Sequence, residues 1–373
     1  MLLPKALAPR CALTAALVLT SVFRSQAAPA AAEDGPVRLG SNENAFGFTP
    51  KAEAALIKAI KTGNYYNRDA VDEMVKLCAA REGVPESFIL PTAGSGPVLL
   101  MTAAAFSKPG VNVVNCAPGY PQLTGAFTTY GGNIKYVYVN EKGGADFKAM
   151  LRAIDENTTI AYVCNPNNPT GVLADPAELR QFIMAVPERV IVFVDEAYLE
   201  LSDPGIKVGT VTPLVKLRKN LIVSHTFSKA FGMAGFRAGY GVAQPELLEK
   251  LKKYYQGPPS FLAAIAAQEA LKDTKFMEEN RQKYHEVRAM VCKEFDKMGL
   301  KYFAPQGAFV LFKAGMDSGE VQKKMKAQNI LVTRPFGVAP GQTGYEDWVR
   351  VSIGTKEEMD LFLGALSKTL GKT

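Results

Sequence analysis

The sequence predicts an α/β protein whose large domain is a mostly parallel sheet covered by helices on both faces, joined to a smaller α+β domain. Several apolar runs have the length and composition of buried strands, and helical patterns lie between many of them. Strands that are apolar throughout and alternate with helices are typical of parallel sheets buried on both faces. The predicted strands of this sheet are Val111–Cys116, Lys135–Val139, Ile160–Cys164, Val190–Val194, Leu221–Ser224 and Ala238–Val242. The predicted helices between them include Val98–Phe106, Pro121–Thr129 and Pro176–Val186.

The segment Gln256-Gly257-Pro258-Pro259 marks a change in this pattern. We assign residues 50–258 to the large domain and 259–373 to a small C-terminal domain. Residues 33–49 form an N-terminal arm that we expect to pack with the small domain. The elements predicted after the change are the helices Ser260–Lys272 and Lys275–Met298 and the strands Ala308–Lys313 and Trp348–Ile353.

Length and composition are those of a globular protein. The 373 residues are 47% hydrophobic and 21% charged, with a net charge of +7. Because no long Lys/Arg block is present, nucleic acid is not a predicted partner. The five cysteines are widely spaced and the chain has two histidines, so neither a disulfide framework nor a metal site is predicted.

The first 32 residues predict a signal peptide. They contain no Asp or Glu, Lys5 and Arg10 precede the apolar stretch Cys11–Phe23, and the small residues Ala27–Ala32 follow. The alternatives are an organelle transit peptide and a poorly ordered tail. We therefore expect an exported protein, periplasmic or secreted; without a signal peptide it would be cytoplasmic or organellar. The apolar stretch is too short to span a bilayer, and no membrane span is predicted in the mature chain.

The segment Ser224–Gly232 places a lysine just after a predicted strand. Hydroxyl residues precede Lys229, and Arg237 follows it by eight positions. A lysine that acts as a Schiff-base nucleophile needs a fixed position and a lowered pKa. Two hydroxyls and an arginine suit a bound phosphate monoester. The alternative for Lys229 is an ordinary surface position.

Asp195 and Tyr198 follow the predicted strand Val190–Val194. A carboxylate at the end of a buried strand is costly unless it meets a positive partner. A pyridinium nitrogen would be such a partner, and Tyr198 could donate to the phenolic oxygen of the same ring. The alternative role for Asp195 is a helix N-cap.

Two further segments are predicted to be turns close to the ligand. Asn165–Gly171 contains two prolines and a glycine, which predict a rigid turn whose Asn side chains can face a ligand. Ala93–Pro97 precedes a predicted helix, and free N–H groups at a helix start bind phosphate. The alternatives are a plain turn and a capped helix. Ligands of parallel sheets bind at the carboxyl ends of the strands, where all these segments should meet.

Together these segments resemble the fold-type I pyridoxal 5′-phosphate (PLP)-dependent aminotransferases of class I and II, and look most like the histidinol-phosphate aminotransferase branch. The resemblance covers about residues 36–368. It implies the PLP-transferase fold, PLP as cofactor, and amino-group transfer between an amino acid, or histidinol phosphate, and a 2-oxo acid. The matching motifs are Ser41-Asn42-Glu43-Asn44, Asn167-Asn168-Pro169-Thr170-Gly171, Asp195-Glu196-Ala197-Tyr198, Ser228-Lys229-Ala230-Phe231-Gly232 with Arg237, and Arg350-Val351-Ser352-Ile353-Gly354-Thr355.

The resemblance also implies a role for each matching residue. Lys229 would form the Schiff base with PLP and then shuttle the substrate proton. Asp195 would pair with the pyridine nitrogen, Tyr198 and Asn168 would hydrogen-bond the phenolic oxygen, and Tyr120 would stack on the ring. The implied ligands of the phosphate are Ser95, Gly96, Thr226, Ser228 and Arg237, together with Tyr66 from the neighbouring subunit of a homodimer.

The implied substrate site contains Arg350, which would bind the anionic group, with Asn44 nearby. The alternative for Arg350 is a surface arginine on the half-exposed strand Trp348–Ile353. The alternative functions are a PLP-dependent decarboxylase or lyase of the same fold and a non-catalytic PLP-binding protein.

Three departures from the family pattern bear on the substrate. The family's Asn-Glu-Asn-Pro ends here in Ala45, its Tyr-Pro-Asp is Tyr66-Asn67-Arg68, and its Gly-Ser-Asp-Glu is Gly94-Ser95-Gly96-Pro97. The last change leaves backbone N–H groups and a serine at the phosphate, but no acid. With the export signal, these departures favour a free amino acid, aromatic ones included, over histidinol phosphate.

Overall fold

The structure of the protein is a computed structural model that describes residues 35–204, 206 and 209–372. The predicted signal peptide, residues 1–32, lies outside the described residues, so the signal peptide and export stay predictions. Within the described ranges, no helix is both long and apolar enough to cross a membrane.

A seven-stranded sheet forms the centre of the large domain. The strands, numbered along the chain and given in their order across the sheet, are β2 (Ile89–Thr92), β8 (Gly239–Val242), β7 (Leu221–Thr226), β6 (Ile191–Asp195), β5 (Thr158–Cys164), β3 (Asn112–Ala117) and β4 (Asn133–Tyr138). Strands β3 to β7 run parallel, whereas β8 is antiparallel to both of its neighbours. The prediction of a mostly parallel sheet is therefore confirmed.

Both faces of this sheet are buried. Along β6, Val192 and Val194 belong to one core cluster, while Ile191 and Phe193 belong to another. Because side chains alternate between the two faces of a strand, an apolar run of this kind needs cover on both sides. The helices are α1 (Pro50–Ala59), α2 (Arg68–Glu82), α3 (Gly96–Phe106), α4 (Gln122–Thr129), α5 (Phe147–Ala153), α6 (Pro176–Ala185), α7 (Pro245–Lys252), α8 (Phe261–Lys272), α9 (Thr274–Lys297), α10 (Ser318–Ala327) and α11 (Lys356–Leu370).

The C-terminal part contains an antiparallel sheet of β12 (Trp348–Ser352), β10 (Phe309–Lys313) and β9 (Lys301–Tyr302). The N-terminal arm contacts this part of the chain, because β1 (Val37–Arg38) pairs in parallel with β11 (Ile330–Leu331) in a separate two-stranded sheet. Helix α8 follows the predicted boundary at residue 258 but packs against α1 and α2 of the large domain. The position of the domain boundary stays a prediction.

Candidate active site

Eleven of the thirteen predicted site residues line one cavity of about 450 Å³ at the carboxyl edge of the large sheet. Strands β3, β5, β6 and β7 end at this edge. Strand β8 begins there, because it runs antiparallel to β7. Strand β2 also ends there, because it is antiparallel to β8, so the edge holds the segments that follow five strands and the segment that precedes β8, as expected for parallel sheets. The predicted residues that line the cavity are Ser95, Gly96, Tyr120, Asn168, Asp195, Tyr198, Thr226, Ser228, Lys229, Arg237 and Arg350.

Lys229 lies three residues beyond the end of β7, and its amine points at the N-terminal arm. Nζ donates to the carbonyl oxygens of Ser41 at 3.3 Å and Asn42 at 3.1 Å. Burial, with a further contribution from the guanidinium of Arg350, lowers the pKa of Lys229 to about 8. A lysine with this pKa carries a larger neutral, nucleophilic fraction near neutral pH than an exposed lysine does.

Asp195 is the last residue of β6 and is only 2% exposed. Burial raises the pKa of its carboxyl to about 6, although a hydrogen bond from Ser224 opposes that shift. The next helical turn begins at Leu199 and has Tyr198 at its N-cap position, so Asp195 does not cap a helix. Among the described residues no cationic group hydrogen-bonds to this carboxylate, so a positively charged ligand would stabilise it.

The hydroxyl of Tyr198 is held by two amides. Asn42 Nδ2 donates to it at 3.0 Å and Asn168 Nδ2 donates at 3.1 Å. Since both amides donate, the phenol proton of Tyr198 is left to donate elsewhere, as hydrogen bonding to a ligand oxygen would require.

A cup of small residues and hydroxyls lies on one side of the cavity. Arg237 Nη1 donates to Ser228 Oγ at 3.1 Å, and Thr226 Oγ1 donates to the same oxygen at 3.0 Å. Arg237 adopts φ +61°, a left-handed conformation uncommon outside glycine. A Cβ on Gly94 would lie 2.4 Å from Nη2 of Arg237, so glycine is required for the close approach.

The same cup includes the start of α3. Ser95 is its N-cap residue, and its side chain makes no capping hydrogen bond there. The first N–H groups of a helix attract phosphate, and here they lie beside the Arg237 guanidinium.

Arg350 reaches the cavity from β12 and is only 4% exposed, which contradicts the alternative of a surface arginine. Nη1 donates to Asn168 Oδ1 at 2.7 Å and Nη2 donates to the Gly40 carbonyl at 2.6 Å. Each terminal nitrogen keeps a second N–H, so the guanidinium can still bind an anion. Nε has no partner among the described residues.

Two predicted site residues do not line the cavity. Tyr66 is fully exposed, which suits a residue that would act in a neighbouring subunit. Asn44 Nδ2 donates to the carbonyls of Lys229 and Ala230, each at 3.1 Å, so Asn44 holds the backbone of the lysine. Its role as a substrate ligand stays a prediction.

Sequence reasoning missed several side chains of the site. Asn42 lines the cavity, has φ +53°, and forms hydrogen bonds with Tyr198 and Ser352. Gln122 and Phe336 also line it. Ser224 could have been found, because on β7 it lies two residues before Thr226 and therefore on the same face. Phe336 lies in a loop and gave no such signal.

The residues present fit PLP. A Cβ on Gly96 would lie 2.9 Å from Gln122 Nε2, so the cup is shaped by the absence of side chains as well as by its donors. A guanidinium with hydroxyls suits a phosphate, a buried carboxylate suits a pyridinium nitrogen, and an amine of lowered pKa suits an aldehyde.

Comparison with known proteins agrees with the family resemblance seen in the sequence. The family model for aminotransferase class I and II matches residues 34–366. The chain is 36% identical over 335 residues to the histidinol-phosphate aminotransferase of Brevibacillus brevis, which covers 89% of this chain and 90% of that protein. It is 35% identical over 341 residues to the histidinol-phosphate aminotransferase of Halalkalibacterium halodurans, covering 90% of this chain and 89% of that one.

A solved structure is similar over the same extent. The histidinol-phosphate aminotransferase of Sinorhizobium meliloti, in complex with pyridoxal-5′-phosphate, superposes with a TM-score of 0.82 at 27% identity. The superposition covers 90% of each chain.

Proposed function

The chain belongs to the class I and II aminotransferases and is a PLP-dependent transaminase, and from this premise we propose that it takes its amino group from a free amino acid whose carboxylate binds Arg350. This family assignment favours transamination over the alternatives of a lyase and of a non-catalytic PLP-binding protein. The proposal concerns the identity of the amino donor and the roles of individual residues.

The observation that carries the proposal is the charge around the cavity. Apart from Lys229 and Arg237, which have roles toward the cofactor, Arg350 is the one cationic side chain that lines it among the described residues. A single guanidinium matches the charge of a carboxylate and can hold both of its oxygens. Glu43 also lines the cavity, but its carboxylate is paired with the Arg38 guanidinium at 2.6 Å, so Arg350 sets the charge that an incoming anion meets.

The cofactor would be held by the groups that fit it. Arg237, Thr226, Ser228, Ser95 and the N–H groups at the start of α3 would bind its phosphate. When bound, PLP supplies an electron sink for the negative charge that develops at the substrate α-carbon.

Lys229 and Asp195 have complementary roles in this proposal. Asp195 would hold the proton on the pyridine nitrogen, since a carboxylate that is buried and poorly compensated favours a cationic partner. Lys229 Nζ would act as the base that takes the proton from the substrate α-carbon and later returns it. Its lowered pKa suits a base that works near neutral pH.

Histidinol phosphate is the second candidate for the donor. It is favoured by the names of the relatives, which are histidinol-phosphate aminotransferases at 35–36% identity. The altered Gly94-Ser95-Gly96-Pro97 segment and the predicted signal peptide favour the free amino acid.

The test compares kcat/KM of the wild type on histidinol phosphate with that on phenylalanine, tyrosine and small amino acids, with a 2-oxo acid as acceptor. We expect a free amino acid to be the better donor. Efficient turnover of histidinol phosphate alone would make the proposal wrong.

The companion variant is Arg350→Lys, which keeps the charge but loses the paired donors. It should lower kcat/KM by an amount that corresponds to about 2–4 kcal/mol of lost transition-state stabilisation, the range for losing a buried, hydrogen-bonded charge contact. The cofactor spectrum should not change. Arg334→Lys is a matched control, because Arg334 lies between β11 and β12 in the chain, is exposed and does not line the cavity. An unchanged kcat/KM in Arg350→Lys removes Arg350 from the substrate site.

We further propose that the enzyme is a homodimer and is exported. Support for the dimer comes from large apolar side chains exposed close together in the sequence: Ile57 at 63%, Ile60 at 66%, Tyr65 at 68%, and Tyr66. Exposed apolar groups that cluster in this way are typical of protein interfaces. Tyr66 would then reach the cofactor phosphate of the neighbouring subunit. Export rests on the acid-free leader alone.

A further inference from the structure

The segment between β11 and β12 covers one side of the anion site. We call residues 334–347, which contain no helix or strand, the cover loop. Its Phe336 ring has its centroid 4.8 Å from the Arg350 guanidinium carbon. The same ring lies 6.1 Å from the ring of Tyr120 in an edge-to-face arrangement at 69°. One loop side chain therefore contacts both the implied substrate ligand and the residue implied to stack on the cofactor.

Backbone contacts hold Phe336 in this place on both sides. Before it, Thr333 and Arg350 exchange hydrogen bonds in an isolated bridge, at 3.0 and 2.8 Å. After it, Gly119 N donates to the Gly337 carbonyl at 3.2 Å. The first contact fixes Phe336 relative to Arg350, and the second fixes it relative to the turn that carries Tyr120.

Gly337 makes the second contact possible. It has φ +65°, and a Cβ at this position would lie 1.7 Å from the Gly119 carbonyl oxygen. Farther along the cover loop, Gln342 Nε2 donates to the Ala117 carbonyl at 3.2 Å. The cover loop is therefore attached to the large domain at two points near the end of β3.

We propose that Phe336 is a positioning and specificity-determining residue of the anion site: its ring shields and orients the Arg350 guanidinium so that it binds a carboxylate. This inference rests on the proposed function, in which Arg350 binds the donor's carboxylate. Aromatic rings attract a cation over their faces, and the exclusion of water strengthens the attraction between opposite charges. Phe309, fully buried on β10, lies 5.3 Å from the guanidinium carbon, so Phe336 is the half-buried member of the pair.

The cover also bears on substrate choice. A phosphate dianion loses more hydration than a carboxylate when it binds beside an apolar ring. The ring of Phe336 therefore adds to the preference for a carboxylate that the single guanidinium establishes.

The experiment uses the holoenzyme and two readouts. Calorimetric titration with succinate, which has carboxylates but no amine, measures anion affinity without turnover. Single-turnover mixing with the best amino donor, followed by the cofactor absorbance, separates the apparent Kd from the limiting rate. For Phe336→Leu we expect both dissociation constants to rise by about 5- to 30-fold. The limiting rate and the resting absorbance should change little, and Phe336→Tyr should restore affinity.

Two glycine variants test the placement of the ring without removing it. Gly337→Ala forces the cover loop away from Gly119 and should weaken succinate binding in the same direction as Phe336→Leu. Gly341→Ala is the matched control, because Gly341 has φ +76° in the same loop but a Cβ there meets nothing within 4 Å. It should bind succinate as the wild type does.

The outcomes separate the inference from the proposed function. If Arg350→Lys binds succinate and the amino donor as the wild type does, the proposed function fails. If Arg350→Lys loses affinity while Phe336→Leu keeps it, the inference about Phe336 alone is overturned. A Phe336→Tyr variant that fails to restore affinity would also overturn it.

Discussion

The hydroxyl of Ser224 donates a 2.9 Å hydrogen bond to the carboxylate of Asp195, and the two residues pair in register on the neighbouring strands β7 and β6. The bond favours the ionised carboxylate, yet burial keeps the pKa of Asp195 at about 6. Asp195 is therefore held in place by its neighbour, but the negative charge of its carboxylate is poorly compensated. A cationic ring nitrogen would supply the missing positive charge.

Replacing this carboxylate should abolish most of the catalysis. We expect Asp195→Ala to retain PLP but to lose several orders of magnitude in kcat, because the ring nitrogen loses the group that keeps it protonated. Ser224→Ala serves as the control and should lose much less, since it removes one hydrogen bond and no charge. Steady-state kinetics and the PLP content of both variants are the measurements. Near-normal turnover of Asp195→Ala would show that the carboxylate has only a structural role.

Covalent labelling tests the position of Lys229. Borohydride treatment of the yellow holoenzyme should fix PLP to Lys229, because this amine lies in the cavity with its pKa lowered. Peptide mapping by mass spectrometry identifies the labelled residue. Apoenzyme treated in the same way is the control. Label on another lysine, or no label with PLP supplied, would contradict the assignment of the site.

The lowered pKa of Lys229 predicts how PLP uptake depends on pH. Only the neutral amine can attack the aldehyde, so the rate of uptake by apoenzyme should rise with pH up to about 8 and then level off. At pH 7 about one amine in ten is neutral, against fewer than about one in a thousand for an ordinary lysine. Stopped-flow absorbance measures the rate, and PLP addition to a free lysine derivative is the reference. A rate that keeps rising beyond pH 9.5, as the reference does, would contradict the lowered pKa.

The proposed homodimer can be tested at Tyr66. Tyr66→Phe should bind PLP about 10- to 100-fold more weakly, the effect of losing a hydrogen bond to a charged phosphate. The dimer itself should persist, because the ring remains. Equilibrium dialysis measures PLP affinity and sedimentation measures mass. Tyr65→Phe is the matched control on the same exposed segment and should bind PLP normally. A monomeric wild type with PLP affinity independent of Tyr66 would overturn the proposal.

N-terminal sequencing tests whether the native host removes the leader. If residues 1–32 are a signal peptide, the mature chain from the native host should begin between Ala28 and Glu33. N-terminal sequencing of the exported fraction is the measurement, with a cytosolic enzyme of the same host as the fractionation control. An intact Met1 in the cytosolic fraction would contradict export.

The buried strands and the residues at their ends could be predicted because both follow from chain-local patterns. Apolar runs give the strands, and a polar residue directly after such a run must lie at the carboxyl edge. Strand β2 was missed, because it has four residues and contains Pro91. It lies at the edge of the sheet, where a proline is tolerated.

The missed side chains of the site have a different explanation. Asn42 and Phe336 enter the cavity from the N-terminal arm and the cover loop, which have no periodic pattern. Their positions depend on contacts between segments far apart in sequence, such as Asn42 with Tyr198 and Gly337 with Gly119. Arg350 is an intermediate case. Its strand could be predicted, but its burial depends on Phe309 and on the arm at Gly40.

The N-terminal arm limits where a processed polypeptide could start if the predicted leader is removed. Strand β1 begins at Val37, four residues beyond the last predicted cleavage position at Glu33, and Ser41 and Asn42 accept hydrogen bonds from Lys229. Processing that strayed ten residues downstream would therefore remove the partners of the reactive amine while leaving the large sheet intact. Trimming past Asn42 should therefore cost activity through Lys229, and it would also remove β1, the partner of β11.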